Sequence, residues 1–282
     1  MGRRVGNGLM GGVMMPPAHL LAVDITVGEH YVVKLGPIAL NLDTIWYSAV
    51  ALAVVVALCV AVGRKATSGV PGRLQLAFET GVEALTRQVE GSIGPRGQSI
   101  IPLALALFLF IFVANSFELF ELGSKYEWLS MPTADINLPL AMAIFVIVLV
   151  HIASIRARGI RGYLRHYLFQ PFPKWMMPYN LFINVVEEGA KPITLALRLF
   201  GNMFSGLLMV TLIAALAAWN LGPIPIGDVA TFLFDIVWKI FDSFIIGAIQ
   251  AFIFALLTIL YFDTAMTTEH GPPEQRALTA EP

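Results

Sequence analysis

The sequence is poor in charge, cysteine and histidine. Only 13% of its 282 residues are Asp, Glu, Lys or Arg, about half the share of an ordinary soluble domain. A single cysteine, Cys59, excludes an intrachain disulfide and any multi-cysteine metal site. It lies in an apolar run and reads as a small packing residue. Five histidines (His19, His30, His151, His166 and His270) are scattered, and no H-E-x-x-H occurs, so no metal site is expected. No nucleophile–base set is evident, which argues against a membrane-embedded hydrolase and for a chain without a catalytic site of its own. The net charge of −1 gives no reason to expect a nucleic-acid partner, and no cofactor is implied. Alternating ten-residue apolar segments, the mark of a membrane β-barrel, are missing. So is any internal repeat of the kind secondary transporters show.

What the chain has instead is apolar length. Hydrophobic residues make up 57% and the mean hydropathy is +0.75. The class is an all-α polytopic membrane protein with about five membrane-embedded segments. They run over 46–62, 100–117, 138–152, 179–219 and 229–262. The last two are too long to cross upright: roughly 40 residues at about 1.5 Å each make a rod near 60 Å, twice a hydrocarbon core of about 30 Å. Neither holds a Gly-Pro or Asn-Gly break, and Pro192 can kink a membrane helix without splitting it. Two long tilted helices are therefore expected, joined by the turn Asn220–Gly227 into a hairpin. The stretch 74–90, with Leu74, Leu76, Phe78, Val82 and Leu85, has the pattern of an amphipathic surface helix.

Basic residues set the expected orientation. Arg64, Lys65, Arg73, Arg87 and Arg96 fill one loop, and Arg156, Arg158, Arg161, Arg165 and Lys174 another, the latter without an acid. The loop between, 118–136, carries Glu118, Glu121, Glu127 and Asp135 against Lys125 alone. The basic loops belong in the cytoplasm. Residues 1–45 then form an extracytoplasmic N-terminal segment, 46–265 a single membrane domain, and 266–282 a cytoplasmic tail. Arg3 and Arg4 lead into no apolar core with a cleavage site, so no signal peptide is expected, and Met10, Met14 and Met15 are alternative starts.

Arg198 stands out. Arginine keeps its proton in proteins, and a charge at the bilayer centre costs about 2.5–3.5 kcal/mol or more. Glu187, Lys191, Thr194, Arg198, Asn202 and Ser205 follow at helical spacing and share one face. Glu187 and Lys191 can pair locally. Arg198 cannot, because Thr194, Leu195, Gly201 and Asn202 are its helical neighbours and none is anionic. Its partner must come from another helix or another chain. In the fifth segment Asp235, Lys239 and Asp242 are spaced for a local ion triplet. Gln250 stands alone among apolar residues, where it can meet Arg198 or Asn202 across the hairpin or make a plain interhelical hydrogen bond. Gly201, Gly206 and Gly247 would let helices approach closely.

The run Lys191-Pro-Ile-Thr-Leu-Ala-Leu-Arg198-Leu-Phe-Gly-Asn202-Met-Phe closely resembles the signature of subunit a of F-type ATP synthases. Ile249-Gln250-Ala-Phe-Ile-Phe-Ala-Leu-Leu-Thr258 resembles that family's last helix, and Ala134-Asp135-Ile-Asn137 also matches. The likeness runs from about Val27 to His270. It implies a stator subunit of the membrane sector beside a rotating ring of carboxylate-bearing subunits, the c-ring. Two offset proton half-channels would be separated by Arg198, with Gln250 and Asn202 as its companions. It implies a c-ring, a subunit b peripheral stalk and the lipid bilayer as partners, a cell inner (plasma) membrane location, and a hydrogen-ion transport role in ATP synthesis.

Two departures from the family pattern matter. The position nine residues after the arginine, a glutamate in some members, is Leu207. The position seven before the glutamine, a histidine or acid in some, is Ser243 beside Asp242. Asp242, Ser243, Asp235 and Glu118 are therefore the candidates for the outer relay. Glu187, Glu188 and Lys191, with Thr194 nearer Arg198, are the candidates toward the cytoplasmic end. A self-contained secondary ion transporter is the alternative reading.

Overall fold

The protein is described here by a computed structural model covering residues 32–35, 38–67, 69–92, 94–121, 132–169, 172, 174–215 and 226–266. The alternative starts, most of the 1–45 segment, the hairpin turn at 220–225 and the tail beyond Met266 lie outside the described residues.

Among the described residues, five helices are long and apolar enough to cross a membrane: Leu42–Lys65, Gly97–Leu119, Asn137–Arg165, Met177–Ala214 and Gly227–Ala265. They correspond one to one with the five expected segments. A short antiparallel hairpin, β1 (Val32–Leu35) and β2 (Ile38–Asn41), precedes them, with Val32 opposite Asn41. Helix α1 (Leu42–Lys65) follows directly. Helix α2 (Arg73–Ser92) coincides with the amphipathic stretch and is too polar to count among the membrane helices. Its buried residues are Gln75, Leu85 and Val89, whereas Leu74 and Leu76 are exposed. A 3₁₀ segment, Gly94–Ile100, leads into α3 (Ile101–Ser116), which tightens again to 3₁₀ over Phe117–Glu121.

Helix α4 (Asn137–Phe169) is interrupted at Gly159, whose φ of 69° only glycine adopts without strain. The apolar part thus ends where Arg156 and Arg158 stand, and the chain turns away beyond them. Helix α5 (Met177–Ala214) runs 38 residues without a break, with Pro192 inside it. Proline removes the donor that the Glu188 carbonyl would otherwise receive. Helix α6 (Ile226–Ile240) passes through a π-helical stretch, Phe241–Ile246, into α7 (Gly247–Met266). Both final helices therefore exceed an upright crossing, and Thr231 Oγ1 donates to the Ile213 carbonyl at 3.3 Å to tie α6 to α5.

The core is formed chiefly where α7 meets α3 and α4, and where α4 meets α5. Leu107, Ile111, Val146, Leu199, Phe254 and Ile259 belong to one buried cluster. α1 is peripheral: only 11% of its apolar window is buried, against 28–44% for the other four. Cys59 lies on its exposed side, so the expected packing role is wrong; an apolar residue on a membrane helix can face lipid as readily as protein. The end of the bundle where α1 and α4 begin is pinned by buried Asp135. It accepts from Asn41 Nδ2 and Thr44 Oγ1, both at 2.7 Å, and from the Asn137 backbone and side chain. That single carboxylate caps α4 and clamps α1 to it.

Candidate functional site

Two polar clusters interrupt this apolar bundle, one buried and one half-open, and Arg198 lies between them along α5. The first is built by the π-helical stretch. A π turn carries an extra residue, so the face that Asp235 and Lys239 occupy is not continued by Asp242. Lys239 pairs with Asp235 at 3.5 Å. Asp242 instead points into the bundle and hydrogen-bonds Glu118 from the 3₁₀ turn that follows α3. The ion triplet is thus a pair, because the helix changes pitch before its third member.

Glu118, Asp242 and Ser243 are 3%, 2% and 1% exposed. Ser243 Oγ donates to Glu118 Oε2 at 3.0 Å. Asp242 Oδ2 is buried without a hydrogen-bond partner and is directed at Gly206 of α5. A Cβ there would stand 2.5 Å from it. Gly247 likewise lets Asn115 approach, with the Asn115 Cβ 3.1 Å from where its own would be. Gly201 has nothing within 4 Å and faces open space, so the close-approach role holds for two of the three glycines. Asn115 accepts from Thr133 at 2.8 Å and keeps a buried, unpartnered Nδ2. It went unnoticed in the sequence, although it stands three residues before Glu118, close to it on the helix surface.

The second cluster surrounds a cavity of about 630 Å³ between α4, α5 and α7, far more than one water's share of roughly 30 Å³. Glu187, Glu188 and Lys191 line it, as do His151, Arg158 and Tyr261 from the facing helices. The expected Glu187–Lys191 pair is present at 3.4 Å, but Lys191 Nζ lies closer to Glu188 Oε1, at 2.6 Å. Arg158 Nη2 donates to the Thr264 carbonyl at 2.9 Å. Asn180 steadies the nearby chain by bonding the Leu168 and Phe172 backbone, and Asn184 by donating to Tyr167 O. Tyr167 lines the cavity, where burial first and the Glu188 charge second push its phenol far above the usual range. His151, Tyr167 and Tyr261 were missed because their approach to α5 is purely tertiary.

Between the clusters, Thr194, Arg198, Gly201 and Ser205 form an exposed strip of α5. Arg198 makes no hydrogen bond or ion pair among the described residues. Asn202 is half-buried and its Nδ2 has no partner. No hydrogen bond joins Gln250 to either of them among the described residues. At about 1.5 Å per residue, Gly206 with its Asp242 contact lies about 12 Å from Arg198 along α5, and Lys191 about 10 Å the other way.

The profile of the family described as ATP synthase A chain matches residues 45–263. The chain is 44% identical over 263 residues to ATP synthase subunit a of Acidothermus cellulolyticus, covering 92% of this chain and 90% of that protein. It is 42% identical over 261 residues to ATP synthase subunit a of Mycobacterium ulcerans, at 89% and 98% coverage. With ATP synthase subunit a of Coxiella burnetii it shares 37% identity over 235 residues, at 80% and 85%.

Proposed function

The chain belongs to the ATP synthase A chain family, and from that premise we propose that Arg198 separates two offset proton half-channels formed against a rotating c-ring. As a member of that family it is a multi-pass subunit of the membrane sector of ATP synthase. The observation that carries the finer reading is the exposed Arg198 strip. A permanent cation on the outside of an intramembrane helix must be covered by protein or reached by water, and its own chain supplies no anion among the described residues. A ring subunit's carboxylate is the counter-ion that fits.

The mechanism follows from charge. A ring carboxyl must be neutral to travel through lipid and ionised to exchange its proton. A guanidinium beside it favours the ionised form, so Arg198 drives release from each arriving site. Because it keeps its own proton, it also blocks a direct leak between the clusters. Glu118 and Asp242, with Ser243 bonded to Glu118, form the outer relay, supplying the carboxyl groups that the family positions at Leu207 and Ser243 lack here. The cavity lined by Glu187, Glu188 and Lys191 leads to the cytoplasm, with Thr194 on the way. Asn202 and Gln250 flank the strip and hydrogen-bond the ring site or its water. Asp235, held by Lys239, serves the outer route as a fixed charge. Each elementary charge crossing yields about 2.3 kcal/mol per 100 mV, and the offset between clusters converts it to rotation. The basic loops face the cytoplasm, leaving the N-terminus outside and the C-terminus inside a plasma membrane. Peripheral α1 is left for lipid and a subunit b stalk.

Replacing Arg198 tests this. Arg198→Ala should abolish proton-coupled ATP synthesis while the complex still assembles. Arg198→Lys should do nearly as much damage, since lysine can shed its proton when buried. Coupled synthesis that continues undiminished in assembled Arg198→Ala membranes overturns the reading.

A further inference from the structure

His151 borders the inner cavity and has no part in the path described so far. Its two ring nitrogens face different groups. Nε2 is 3.8 Å from Glu188 Oε2, and Nδ1 is 3.5 Å from the Tyr163 hydroxyl. The ring is held edge-on to Tyr163 and Tyr167, with centroids 6.0 and 6.4 Å away, while about 30% of the side chain stays open. Glu188 completes the geometry. Its Oε1 takes Lys191, whereas its Oε2 is buried, lacks a hydrogen-bond partner and faces the imidazole. The ionisable groups about His151 are Glu187, Glu188 and Lys191 from α5, Tyr261 from α7, and Arg158, Tyr163 and Tyr167 from its own helix.

We propose that His151 is the proton-exchanging residue of the inner cavity, handing protons between Glu188 and water on the cytoplasmic side. Imidazole accepts at one nitrogen while donating from the other, which no other residue of the cluster does near neutral pH. At 3.8 Å the Glu188 contact is too long for a direct hydrogen bond, so a cavity water carries the proton across it. In the outward-to-inward direction the Glu188 carboxyl loses its proton and becomes carboxylate. Nε2 gains one, Nδ1–H gives its proton to water, and the ring returns to neutrality as the other tautomer. Water-borne proton exchange at the two nitrogens resets it, and ATP-driven pumping runs the same steps backward. Lys191 keeps Glu188 in place and Tyr163 orients the ring.

This rests on the inner cavity's being part of the proton path, and the test separates the two ideas. Inside-out vesicles carrying the whole complex expose the cytoplasmic face to the bath. An uncoupler removes any back-pressure, and rotation-coupled ATP hydrolysis is then measured. His151→Phe and His151→Gln should each lower the rate about tenfold or more, and free imidazole in the bath should restore much of it without affecting the unaltered complex. Normal rates in both variants at normal abundance, or a loss that imidazole leaves untouched, overturns the assignment, because imidazole cannot repair a loss of packing. If instead the unaltered complex, assayed with the uncoupler left out, hydrolyses ATP without acidifying the vesicle interior, the path reading itself fails and takes this one with it.

Discussion

Gly206→Ala offers a direct test of how the outer cluster is assembled. The added methyl would stand 2.5 Å from Asp242 Oδ2 and 3.3 Å from its Cγ, so a separation of nearly 1 Å must be found to reach van der Waals contact. Asp242 cannot swing freely, since it is buried and bonded to Glu118. Either the carboxyl rotates and loosens that bond, or α5 is pushed off the π-helical stretch. Overpacking of this kind costs about 1–3 kcal/mol, roughly 5- to 150-fold in a folded–unfolded ratio. Thermal melting of the complex and ATP-driven proton pumping should both fall. Gly81→Ala, where nothing lies within 4 Å, should be neutral or slightly stabilising. In the Asp242→Ala background the obstacle is gone, so Gly206→Ala should add almost no further loss of melting temperature. Full stability and pumping in the single variant, or an undiminished cost in the double, refutes the steric argument.

Two other perturbations follow from single interactions. Lys239→Met should lower the abundance of the complex by leaving Asp235 charged and unpaired, a loss of about 3–5 kcal/mol for a fully buried pair and less here because Asp235 is partly exposed. Lys239→Met with Asp235→Leu should recover most of it, and a double variant no better than the single refutes the pairing. Tyr167 gives a pH signature. Its phenol holds its proton more tightly in the folded chain, so the folded state binds more protons than the unfolded one above about pH 10 and stability falls as pH rises past that point. Tyr167→Phe should flatten this alkaline loss in melting experiments, and an unchanged slope counts against the buried-phenol account.

The residues that sequence reasoning reached are those whose meaning is set by their own helix. Apolar length located five crossings because water-free backbone must close its own hydrogen bonds, and only a helix does so within one segment. Arg198 was conspicuous because four helical neighbours are enough to show that no local anion exists. The lengths of the last two helices likewise followed from residue count and rise alone.

The tertiary structure decided which polar residues act together. Asp235, Lys239 and Asp242 read as one triplet at constant pitch, but the π-helical turn sends Asp242 to Glu118, 124 positions away in the chain. Gly206 and Gly201 are alike in sequence, yet only one meets another helix. His151 looked like one scattered histidine among five until α4 laid it against Glu188. Periodicity is a property of a single helix, so it can assign a face. What that face meets depends on crossing angle, register and pitch, and those are settled only when the helices pack.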